Sequence, residues 1–132
     1  METTNQISKG RLWTSYILQG IVILMFLLGS VNNILQTESA IKASTDLGIP
    51  KSAVLYLGIV LLVSTLLYAW PKTNFIGGLL LTAWLGGAVA THVIHNDPLG
   101  LTLFPVLFGI IVWLSPWLRD PKLQNVVFPN KA

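Results

Sequence analysis

The chain has 132 residues, of which 53% are hydrophobic and only 10% charged, and a mean hydropathy of +0.69. A soluble domain carries about 25% charged residues, so the composition argues against a soluble enzyme, a disordered tail and a disulfide-rich secreted fold. The net charge of +3 lies at the ends and in the connections without a basic cluster, so nucleic acid is not an expected partner, and the lack of cysteine removes thiolate and disulfide chemistry.

About 20 apolar residues cross the roughly 30 Å hydrocarbon core of a bilayer as a helix. Four segments meet this requirement, over about 12–31, 53–70, 75–93 and 99–118. The expected fold is therefore all-α: a single membrane domain built as a four-helix bundle, with the lipid bilayer as its surroundings. Lys9 and Arg11 precede the first run as they would in a signal peptide. That run is longer than a signal h-region and is not followed by a small-residue cleavage pattern, so it is expected to remain as a helix.

Between the first and second spans, Glu38, Lys42 and Asp46 recur every four residues. This spacing predicts a short amphipathic helix over about 37–47 at the membrane interface, capped by Thr37 and stopped by Gly48 and Pro50. Trp70 to Asn74 reads as a tight turn, with Thr73 or Asn74 as the N-cap of the third span, and Asn96-Asp97-Pro98 closes that span. Pro105 falls inside the fourth run, and proline is best tolerated in a first helical turn. The fourth helix is thus expected either to kink at Pro105 or, the favoured reading, to start near Phe104 after a non-helical entry over 99–103, and Pro121 to end it ahead of a loose surface tail.

Four crossings put Lys9, Arg11, Lys72, Arg119, Lys122 and Lys131 on one side, against Lys42 and Lys51 on the other. The positive-inside rule then predicts that both termini are cytoplasmic. The third span carries two ladders of small residues at i, i+4: Gly78, Thr82, Gly86 and Ala90, and beside them Ala83, Gly87 and Thr91. Close approach between membrane helices relies on such residues, so this span is expected to form the centre of the bundle. A large side chain at Gly86 or Gly87 is expected to separate the helices, and the same broad face would permit a homo-oligomer.

Polar residues inside a membrane are candidates for function. On a helical wheel Trp84, Thr91 and His95 share one side of the third span, and His92 points from a neighbouring one. One reading is a small-molecule site with an aromatic wall from Trp84 and a proton-active imidazole from His92 or His95, as a quinone site would need. The other is hydrogen bonding between helices plus a histidine at the interface. Two imidazoles, even with Asp97 nearby, fall short of a closed tetrahedral set, so no metal is expected. The spacing assigns no catalytic residue. Ser64 and Thr65 are expected to bond carbonyls of their own helix.

The stretches 67–73 (LYAWPKT), 78–81, 82–92 (TAWLGGAVATH), 104–109 (FPVLFG) and 118–123 (LRDPKL), with 47–50 (LGIP), resemble the DoxX-like family of small bacterial integral membrane proteins. The resemblance implies a four-helix bundle in the bacterial inner membrane. Of the family's motif residues it carries over Gly86, Gly87 and His92. The family takes its name from a subunit of a thiosulfate:quinone oxidoreductase, which implies a quinone as the possible cofactor and a membrane redox protein as a possible partner. Asn33 stands where relatives often carry a lysine, and Leu61 where many carry a glutamate. Two functions follow: an accessory, non-catalytic membrane protein, or the membrane subunit of a quinone-linked oxidoreductase with a pocket near Trp84 and His92. A small-solute transporter is a third class, for which four short spans offer no evident polar pathway.

Overall fold

A computed structural model describes residues 6–129. Six helices follow one another: α1 (Lys9–Ile34), α2 (Glu38–Asp46), α3 (Lys51–Ala69), α4 (Asn74–Ile94), α5 (Leu99–Arg119) and α6 (Pro121–Val127). Of these, α1, α3, α4 and α5 are long and apolar enough to cross a membrane. They run up and down as a ring in which α1 and α4 each lie between α3 and α5, with no backbone contact across either diagonal. The third span is thus one of four corners and not the centre of the bundle.

The distribution of polarity is inverted relative to a soluble bundle. Ser15, Gln19, Ser30, Ser64, Thr65 and Ser115 are buried, while leucines, isoleucines and valines along every span are exposed. Buried hydroxyls without water must bond to protein. Ser64 and Thr65 donate to Val60 and Leu61 carbonyls one turn back, as expected, at 2.7 Å each. Ser15 and Ser115 donate to each other's carbonyls at 2.6 and 3.0 Å, which locks α1 to α5. Arg119 donates to Ser15 Oγ at 2.8 Å and lies over the ring of Tyr16. This protein is an integral, multi-pass membrane protein.

Prolines leave helical carbonyls without their usual donors, and side chains replace them. Pro116 has no N–H for the carbonyl of Val112, and the Tyr68 hydroxyl donates to that carbonyl at 2.7 Å. Pro71 likewise cannot serve Leu67, whose carbonyl accepts from Thr73 Oγ1 at 2.7 Å. The Tyr68 carbonyl accepts from Gln19 and Asn74. Thr73 and Asn74 therefore satisfy the end of α3, and neither side chain caps the start of α4.

Two expectations need correction at α5 and beyond. The helix begins at Leu99, directly after Pro98, and runs through Pro105 as a continuous element. A single lost backbone bond is tolerated because Pro105 is buried against neighbouring helices, which hold the chain in register. Pro121 starts α6 and does not begin a loose tail: it occupies the first helical position, where its missing N–H costs nothing, and Asp120 caps it by accepting from the Lys122 amide at 2.9 Å. Gln124 ties α6 back by donating to the Trp117 carbonyl at 2.7 Å. Lys131 lies outside the described residues.

Three helices end in the same way on the α2 side of the bundle. In α1, α2 and α4 a residue with positive φ (Gln36, Gly48 and Asn96) turns the chain so that two successive amides reach back into the last turn. Thr37 caps α2 as predicted, accepting from the Ala40 amide, while Lys42 pairs with Asp46 at 2.6 Å on the exposed stripe. Gln36 is the least suited of the three to its φ of 50°. Gln36→Gly is expected to stabilise the protein by about 0.5–1 kcal/mol, read as a higher midpoint of thermal unfolding in detergent; a lower midpoint would contradict this account.

Candidate functional site

The end of α4 builds the most chemically organised cluster in the bundle. In its terminal turn the Asp97 amide donates to the His92 carbonyl at 3.1 Å, made possible by the left-handed Asn96. The same turn brings the side chains together, with His92 Nδ1 2.6 Å from Asp97 Oδ2 and both residues partly buried. Facing an ionised carboxylate, which only accepts, Nδ1 is the donor of this bond. A backbone cap has thereby fixed the orientation of an imidazole in the last turn of the third span.

Two cavities meet at this cluster, and Trp84, Ala88 and His92 border both. The larger, of about 530 Å³, lies between α3 and α4 beneath α2 and includes Asn33, Ser44, Leu57 and Thr91 in its wall. The smaller, of about 270 Å³, lies toward α1 and α5 and is walled by Phe26, Leu61, Phe104 and Phe108. Its rings pack at tilted angles, with Phe26 6.3 Å from Trp84 and 5.7 Å from Phe108 between centroids. Trp84 stands at the midpoint of α4, and its indole Nε1 is buried without an acceptor. A buried, unsatisfied N–H costs about 1–3 kcal/mol relative to a bonded one.

The other unpartnered indole, that of Trp117, borders a cavity of about 640 Å³ under α6 whose wall is apolar apart from Thr82. That cavity has no titratable side chain.

Of the residues singled out from the sequence, the structure brings Trp84, Thr91 and His92 together and leaves His95 apart. The His95 ring sits over Gly48 at the end of α2, where an added Cβ would stand 3.0 Å from its Cε1. The Thr91 hydroxyl is engaged with the Gly87 carbonyl at 2.8 Å. No group of three or more metal-ligating side chains occurs among the described residues. Gly78 and Thr82 pack on α5: an added Cβ at Gly78 would meet the Trp113 ring at 3.3 Å, and Trp113 donates to Thr82 Oγ1 at 2.8 Å. Gly86, Gly87 and Ala90 face outward, and a Cβ at either glycine meets nothing within 4 Å. The closest approach in the ladder region is made instead by Gly77, set against the backbone of Leu67 and Tyr68.

Residues 17–115, well over half of the chain, match the DoxX-like family. The chain belongs to the DoxX-like family. No curated protein and no solved structure matches it. In this DoxX-like protein the side chains missed from the sequence are Asp97 as the partner of His92, and Phe26 and Phe108 as the aromatic walls. Asp97 was within reach: a left-handed residue four after His92 makes the fifth residue fold back onto it. Phe26 and Phe108 had no such local signal.

Proposed function

We propose that this DoxX-like protein is an accessory, non-catalytic membrane protein that holds a lipophilic ring compound carrying a hydrogen-bond acceptor, a quinone by class, between Trp84 and His92. The observation that carries this reading is the Trp84 indole N–H, buried at the midpoint of the third span without an acceptor and adjoining two cavities. A quinone carbonyl would satisfy it. His92, oriented by Asp97, adds a second polar contact, and the rings of Phe26 and Phe108 suit a flat ring. When bound, a quinone would supply two-electron redox chemistry; the chain's own residues bind and orient it, and the electrons come from a partner protein. The excess of Lys9, Arg11, Lys72, Arg119 and Lys122 at one end supports an inner-membrane location with both termini in the cytoplasm.

The test is thermal unfolding of the purified protein in detergent with a decyl-tailed benzoquinone. The expected result is a saturable rise in midpoint, with Trp84→Phe weakening the apparent affinity by about tenfold, the equivalent of one hydrogen bond of about 1.4 kcal/mol. A midpoint indifferent to the quinone, or unchanged affinity in Trp84→Phe, would overturn the reading.

A further inference from the structure

Gly86 and Gly87 are equally free of neighbours, but Gly87 borders the larger of the two cavities at Trp84 and Gly86 does not. With Ala83 it forms the α4 edge of the larger chamber, facing Leu57 of α3, under a roof that includes Ser44 and Leu47 of α2. Ala83 and Gly87 are exposed along a membrane-spanning helix, where the surrounding medium is hydrocarbon. On the α2 side, the His95 ring lies close to Gly48, just beyond the end of α2.

We propose that the gap between α3 and α4, with Ala83 and Gly87 as its bare sill, is a lateral doorway from the bilayer to Trp84 and His92. This rests on the reading of those two residues as a ligand site. From lipid, a compound crosses the width of one helix past residues with at most a methyl side chain; from water, it must pass beneath α2. The ligand is then a molecule that partitions into the membrane. Its ring occupies the smaller aromatic chamber beyond Trp84, and its apolar tail stays in the larger chamber and the doorway.

The experiment follows quenching of tryptophan fluorescence by the decyl-tailed benzoquinone in stopped flow, using the full chain in phosphatidylcholine nanodiscs. Gly87→Leu is expected to slow association by about tenfold or more while unfolding at the same temperature as the unaltered chain. Gly86→Leu, one residue away and outside the cavity, is expected to associate at the unaltered rate. An unaltered rate in Gly87→Leu overturns the doorway and leaves the site standing. A change of oligomeric state in both leucine variants also overturns it, by making this face a contact between copies. Failure of the unaltered chain to bind the quinone removes the site itself, and the doorway with it.

Discussion

Gly77→Ala is expected to destabilise the bundle by about 3 kcal/mol or more, at the upper end of overpacking costs. The Cβ would fall on the Tyr68 amide nitrogen and Cα, and 2.6 Å from the Leu67 carbonyl carbon. These are backbone atoms in the last turn of α3, so no flexible side chain can yield. Any retreat of α4 would also break the bonds that Asn74 and Thr73 make to the Tyr68 and Leu67 carbonyls. Chemical or thermal unfolding in detergent measures the loss. Gly86→Ala is the matched control and is expected to change stability little, since its Cβ meets nothing. Equal stability of the two variants would show that the α3–α4 contact is not as close as described.

Tyr68→Phe is expected to cost about 1–2 kcal/mol, because it strips the only side-chain donor from the Val112 carbonyl in a setting without water. Pro116 is the reason that carbonyl needs a donor. In a Pro116→Ala background the residue at 116 supplies an amide of its own, so the same Tyr68→Phe change is expected to cost less, by about 0.5 kcal/mol or more. The double-mutant cycle, read by unfolding in detergent, isolates this coupling. Additive effects would mean that Tyr68 stabilises the bundle by packing alone.

The elements that were legible in the sequence are those governed by local rules. Four uncharged runs of spanning length, the Glu38-Lys42-Asp46 stripe and the Thr37 cap each follow from residues within a turn or two of one another. The misread positions share a different origin. Pro105 looks like a helix start when considered alone, and it lies inside α5 because the neighbouring helices hold it there. Thr73 and Asn74 have the right chemistry for N-caps, but the unpaired carbonyls of α3 are nearer and engage them first.

The site divides in the same way. Trp84 and His92 stand out in the sequence because a polar group in a greasy helix needs a partner, and hydrocarbon offers none. The identity of that partner depends on the turn after α4 for His92, and on which helices face which for Trp84. The small-residue ladders show the limit most clearly. Sequence determines that one face of α4 is bare, since glycine and alanine lack side chains wherever they sit. Whether a bare face receives another helix, as at Gly78, or turns outward, as at Gly86 and Gly87, is decided only when the four helices take their places in the ring. In a medium as apolar as the side chains themselves, hydropathy determines that a helix is in the membrane but hardly which way it turns; shape and hydrogen bonds between helices decide that.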